Sequence, residues 1–202
     1  MTGLLTSAKR SYLFDVRQFR RMMAAGVFGD HKVELVAGKI YPMTDLPPHT
    51  FAVGRLYRAL LAMLAEALWA VRAEQPVLIG RYWAPKPDIA ILRGNDMIYA
   101  TRHPRPRDVA LLIEVSDTTY YRDRGQKWRR YAAAGIALYM IVRLKGPDTL
   151  VEVWTGPTGR GRAARYTEVV RYTARAGESV PIEIDGIEHG QVAVADLIAR
   201  PV

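Results

Sequence analysis

Apolar and polar positions follow two rhythms along the chain. A period near 3.6 puts Phe19, Met22 and Met23 on one face of "VRQFRRMMAAG", with Asp15 placed to cap that helix and Gly26 to stop it. The same period in "FAVGRLYRALLAMLAEALW" aligns Val53, Leu56, Leu60, Leu61, Leu64 and Leu68, which predicts a long amphipathic helix. "GQKWRRYAAAG" predicts another, closed by Gly135. Between them the rhythm changes. "KVELVAGKIYPM" reads as a hairpin turning at Ala37-Gly38, and "AVRAEQPVLIG", "PDIAIL" and "VALLIEV" read as strands. The last two are nearly continuous apolar runs, as expected of strands covered on both faces. "ALYMIV" is another buried strand, while "TLVEVWTG" and "ARYTEVVRYT" form an outer hairpin. A right-handed crossover from "LLIEV" through the intervening helix to "LYMIV" makes those two strands parallel. The expectation is an α/β fold: a mixed central sheet flanked by helices, preceded by a helix and hairpin and followed by a β-rich extension.

Composition narrows the chemistry. The 202 residues suit one domain, 1–202, large enough to bury a core unaided, and no repeat or long linker divides them. Without cysteine, disulfide frameworks and thiolate zinc sites are excluded. A metal must be held by oxygen or by the four histidines, which favours hard ions such as Mg2+ or Mn2+. The opening residues do not resemble a signal peptide and no 18-residue apolar run occurs, so a cytoplasmic protein without a membrane segment is expected. The net charge of +9 favours a polyanionic partner such as nucleic acid. Of the 29 basic residues 23 are arginine, suited to bidentate phosphate contacts, although a G- and C-rich genome raises the same count.

Position then singles out a few charged residues. Asp88 follows "PKP" at the start of one central strand; Glu114 ends the next, with Ser116 two residues on. If those strands are antiparallel neighbours, Asp88 and Glu114 meet at one end of the sheet. Two carboxylates that close repel unless a cation sits between them, which makes sense of a divalent metal site. Asp123 and Lys127, at i and i+4, share a helix face, where a lysine can orient a nucleophile and neutralise charge on a phosphate. The same spacing is that of an ordinary surface ion pair.

In order along the chain, "VELVAGKIYPM", "PPHTFAVGRLYRALL", "QPVLI", "PKPDIAIL", "HPRPRDVALLIEVSDTTYYRDRGQKWRRYAAAGIALYMIV" and "VAVADLI" resemble the Uma-type putative restriction endonuclease family of the PD-(D/E)XK nuclease superfamily. The resemblance runs from about Tyr12 to Ile198. It implies a restriction-endonuclease-like core, divalent metal ligation and cleavage of DNA, with Asp88 and Glu114 as metal ligands, Glu34 as a further carboxylate and the carbonyl of Val115 as a fourth donor. The superfamily's usual E-x-K pattern puts lysine at 116, where this chain has Ser116; Lys127 on the next helix matches the displaced lysine. His49, at the start of the long helix, suits holding a phosphate but equally suits packing over Val53 and Leu56. Gln75, Ser116 and Asp123 complete the expected substrate-binding set, and Tyr131 reads as a core contact. The chain departs from the family's habit at Met140, at Arg143 and in the Ala37-Gly38-Lys39 turn, none of which removes a proposed ligand.

The resulting expectation is a Mg2+- or Mn2+-dependent endonuclease hydrolysing DNA. A catalytically inactive nucleic-acid-binding or partner-binding protein on the same fold is the alternative. A homodimer is expected because cutting both strands needs two sites, with an edge at "TLVEVWTG" available for pairing.

Overall fold

The computed structural model describes residues 11–43, 46–146 and 148–198; the first ten residues, part of the stretch read as unlike a signal peptide, lie outside them. Helix α1 (Val16–Ala24) begins with a reciprocal capping box between Asp15 and Gln18 and buries Phe19, whereas Met23 is largely exposed rather than sharing the buried face. Hairpin β1 (Val33–Val36) and β2 (Lys39–Pro42) turns at Ala37 and Gly38, both at positive φ. The first turn of α2 (Pro47–Met63) carries two prolines, where a missing N–H breaks no helical bond. The helix is shorter than its apolar pattern predicts. Leu64 is its extended C-cap, the Leu68 and Trp69 amides turn back onto the Ala65 carbonyl, and Leu68 is left 63% exposed.

A six-stranded mixed sheet follows in the order β3 (Trp69–Ala73), β4 (Ile89–Arg93), β5 (Val109–Ser116), β6 (Leu138–Arg143), β7 (Leu150–Thr158) and β8 (Arg165–Thr173). Strand β3 is shorter than predicted: Glu74 takes a positive φ just past its end, and residues 74–80 leave the sheet. Strands β4 and β5 are antiparallel, with Ile89 opposite Ile113, and β5 and β6 are parallel, with Leu111 beside Leu138. The expected pairing edge is corrected by this topology. Strand β7 lies between β6 and β8, so its backbone is already paired on both sides, and the sheet's edges are β8 and, at the other end, β3. Hairpin β9 (Ser179–Ile184) and β10 (Ile187–Ala193) makes the C-terminal extension.

Alternation sorts the central strands into two faces. Ile89, Ile91, Leu111, Ile113 and Val115 pack with Leu56 and Leu60 of α2 and with Val180, Ile182 and Ile184 of β9. Each such buried aliphatic side chain contributes about 1.5–3 kcal/mol relative to exposure. Ala90, Leu92 and Leu112 face the other way, toward Tyr131, Ile136 and Trp154. That second layer is helix α3, residues 120–133, which begins five residues before the predicted helix. It runs as an α-turn (Tyr120–Arg122), a π-turn (Asp123–Lys127) and a final α-segment (Trp128–Ala133). Gly135, at positive φ, ends it: its amide reaches the Ala132 carbonyl while the Ile136 amide reaches that of Tyr131. Glu114 is in phase with Leu112. Its side chain is therefore turned toward α3, as is that of Ser116 two residues on. Among the described residues no helix is long and apolar enough to cross a membrane.

Candidate active site

Four buried carboxylates converge at the ends of β4 and β5. The β4–β5 register, continued two residues, sets Pro87 opposite Val115, and proline has no N–H to donate to the ladder. The Asp88 side chain takes the place of that pairing: its Oδ2 accepts the Val115 amide at 2.6 Å. In an extended strand the N–H and C=O of one residue point to the same side, so the Val115 carbonyl faces the same gap. The sequence "PKPD" thus opens the sheet locally and puts a carboxylate and a carbonyl at the opening. Nε2 of His49, from the first turn of α2, stands 3.1 Å from Asp88 Oδ1 and fixes the other oxygen.

Glu34 comes from β1, where an edge-strand glutamate would ordinarily face water. Here it is 1% exposed, because the hairpin is docked by pairing of Leu35 with Ala84, and Glu34 Oε2 accepts the Lys86 amide at 3.2 Å. Lys127 descends from the π-turn of α3. Its Nζ lies 3.0 Å from Glu114 Oε2, 3.1 Å from Glu34 Oε2 and 3.7 Å from Asp123 Oδ1. The i,i+4 spacing of Asp123 and Lys127 is therefore no surface pair, since both side chains are buried. π-Turns interrupt regular helices at functional sites more often than elsewhere, and this one carries both residues of the pair.

Tyr131, expected only as a core contact, and Arg122, assigned no role at the site from the sequence, complete the cluster. Tyr131 donates its hydroxyl to Glu114 Oε1 at 2.8 Å, and Arg122 reaches Glu34 Oε1 at 3.6 Å from the cleft wall. Tyr131 follows Lys127 by four residues, so the helical period that pointed to Lys127 pointed to Tyr131 as well. Of Ser116 and Asp123, both expected at the substrate, Ser116 is internal, while Asp123 is buried but lines the cleft. The Ser116 hydroxyl donates to Asp123 Oδ2 at 2.8 Å, Thr119 donates to the same oxygen, and Tyr139 donates to the Asp123 carbonyl at 3.1 Å. Ser116 is fully covered and cannot meet a substrate without rearrangement. Gln75 lies away from the cluster, past β3, where it lines a different cavity.

Electrostatics follow from this burial. Burial pushes the Glu114 carboxyl well above the usual range; Lys127 pulls it down, and Asp123, Asp88 and Glu34 push it further up. Asp123 is raised by burial too, against the opposing pull of Lys127, Thr119 and Ser116. For Lys127 burial favours the neutral amine, but Glu114, Glu34, Asp123 and Asp88 outweigh it and its pKa rises. Lys127 is therefore a fixed ammonium at neutral pH and cannot act as a base. Tyr131 and Tyr139 are raised by burial first and then by Glu114, so both remain donors.

The cleft has a cavity of about 40 Å3, enough for a few waters or an ion. Five carboxylates line it against Lys86, Arg122 and Lys127. The donors are all oxygen, with negative charge in excess, as a hard divalent cation requires. Among the described residues no three acidic or histidine groups already stand as a ligand set. Lys127 accounts for this: the facing oxygens of Glu34 and Glu114 both close on its ammonium. The residues fit such an ion in chemistry and charge.

A family model described as Uma2, "Putative restriction endonuclease", matches residues 16–184 of the chain. No curated protein matches it.

Proposed function

The chain belongs to that family of putative restriction endonucleases, and on that premise we propose that it is a metal-dependent endonuclease hydrolysing phosphodiester bonds of DNA. The observation that carries the reading is the convergence of Glu34, Asp88 and Glu114 from three separate elements on one cleft, with a buried ammonium among them. A protein using this fold only to bind nucleic acid has no use for so costly a cluster of buried carboxylates.

In the proposed reaction a water attacks phosphorus and the bond to the 3′ oxygen breaks, leaving a 5′-phosphate. Glu34, Asp88, Glu114 and the Val115 carbonyl would hold Mg2+ or Mn2+, which supplies Lewis acidity at the phosphate and an acidified water. The chain's own groups do the rest. His49 and the Val115 amide fix Asp88, and Tyr131 fixes Glu114. Lys127, unable to give up its proton, offers a compact positive charge to the developing oxyanion and to the incoming water. Arg122, on the cleft wall, is placed to meet a non-bridging phosphate oxygen. Cutting both strands of a duplex would take two such sites, and β8, an edge strand of the sheet, offers its backbone for pairing with a second copy.

Calorimetric titration tests the metal assignment. Mn2+ should bind the wild type, and Asp88→Asn should weaken it by roughly tenfold or more by removing one ligand charge. Equal binding by both would remove Asp88 from the site.

A further inference from the structure

A second cavity, of about 610 Å3, opens at the β3 edge of the sheet between α1, the segment after β3 and the loop that leads into β5. Arg20, Arg72, Gln75, Arg102, Arg105 and Arg107 are among its lining residues, and no carboxylate is. Two of the arginines are neutralised from behind: Arg72 by Asp96 at 3.3 Å, and Arg102 by Asp108 at 2.6 Å while its guanidinium stacks over Tyr99. Arg20, Arg105 and Arg107 are exposed and make no ion pair among the described residues. The imidazole of His103, in the same wall, is held below its usual pKa by burial and by Arg20 and Arg72, as expected where positive charge is in excess. Three exposed guanidiniums that make no ion pair among the described residues, gathered from two separate elements around one concavity, suit anionic oxygens.

A backbone hydrogen bond ties the segment beside this cavity to the carboxylate cleft. The Glu74 amide donates to the Asp88 carbonyl at 3.2 Å, and the next residue, Gln75, already lines the arginine cavity. Arg72 pairs with Ala90 in the sheet and so stands on the face that also carries Asp88 and Glu114. We propose that this arginine cavity is a binding site for the phosphodiester backbone of the substrate strand, gripping phosphates a few nucleotides from the one held at the carboxylates. The proposal rests on the nuclease reading for the identity of the strand but not for the presence of the anion site.

Fluorescence anisotropy with a labelled single-stranded oligonucleotide, in excess EDTA so that metal and cleavage play no part, tests it. The double variant Arg105→Ala/Arg107→Ala should bind roughly tenfold more weakly near 0.1 M salt. The slope of log affinity against log salt should flatten by about 1.4, at about 0.7 for each lost contact to a single strand. Arg20→Glu, on an exposed helix position of another element, should give a loss of the same kind should the loop variant misfold. Arg160→Ala/Arg162→Ala removes the same charge from an exposed turn outside the cavity and should leave binding within about twofold. Equal losses in the two double variants would mean that overall charge, not this cavity, binds DNA, and an unchanged slope in Arg105→Ala/Arg107→Ala would overturn the site outright. Failure of the nuclease reading shows separately, as strand binding that depends on the cavity in a protein that never cuts with Mn2+.

Discussion

Replacing Lys127 by methionine keeps the aliphatic stem and deletes the ammonium on which Glu34 and Glu114 close. At 3.0 and 3.1 Å each contact is worth about 5 kcal/mol of gross attraction at an effective dielectric near 20, most of it offset by the desolvation of the three groups. What the variant feels is the uncompensated remainder: two buried carboxylates without their cation, a loss of about 3–5 kcal/mol at pH 7. For a chain this long that lowers Tm by roughly 6–20 °C. The loss should depend on pH in a definite direction. Glu114 already binds its proton more tightly in the native state than when unfolded, and it loses the lysine that opposed this. Stability of the variant therefore falls as pH rises from the unfolded to the native pKa of Glu114, and the penalty is smaller at pH 5 than at pH 8. Urea denaturation at several pH values measures it. A penalty under about 1 kcal/mol at pH 7, or one no smaller at pH 5, would refute the reading of Lys127 as the buried counter-charge.

Millimolar Mn2+ should raise Tm, because an ion bound by the native state alone adds to its stability, and the rise should be larger in Lys127→Met, where the ion no longer competes with the ammonium for Glu34 and Glu114; differential scanning fluorimetry with and without EDTA checks both. Tyr131→Phe leaves Glu114 Oε1 without its donor and should cost about 1–3 kcal/mol in urea denaturation, with slower cleavage as Glu114 loses its orientation. Lys127→Ala should slow cleavage by roughly 10²-fold or more, and adding Ser116→Lys should recover part of it. Ser116 lies on the same strand face as Glu114 and already touches Asp123, so a lysine there can enter the space that Lys127 vacates. Cleavage rates of the single and double variants decide whether the charge or the particular residue matters.

Much of the site was legible because it depends on local pattern. The "PKPD" stretch and the apolar run ending in Glu114 place two carboxylates by strand register alone, and their meeting needs only that β4 and β5 be antiparallel. Asp123 and Lys127 follow from helical spacing in the same way. Glu34 is different: its burial depends on the hairpin docking at Ala84, a contact across 49 positions that no local rhythm encodes. The inward turn of Ser116 and the orienting role of Tyr131 are likewise tertiary, set by how far α3 sits above β5. Leu68 shows the opposite failure. Its spacing fits the helix perfectly well, but the backbone turns at Ala65 to enter β3, and the apolar side chain is left in solvent. The arginine cavity was invisible because its members are scattered from Arg20 to Arg107, and only the fold gathers them.

Metal-dependent cleavage at Asp88 is tested by incubating supercoiled DNA with purified wild type and Asp88→Asn, each in millimolar Mn2+ or in excess EDTA. Nicked and linear products with 5′-phosphate ends are expected from the wild type in Mn2+ alone, and cutting by Asp88→Asn should be slower by roughly 10²-fold or more. Equal cutting in EDTA, or by Asp88→Asn, would contradict it.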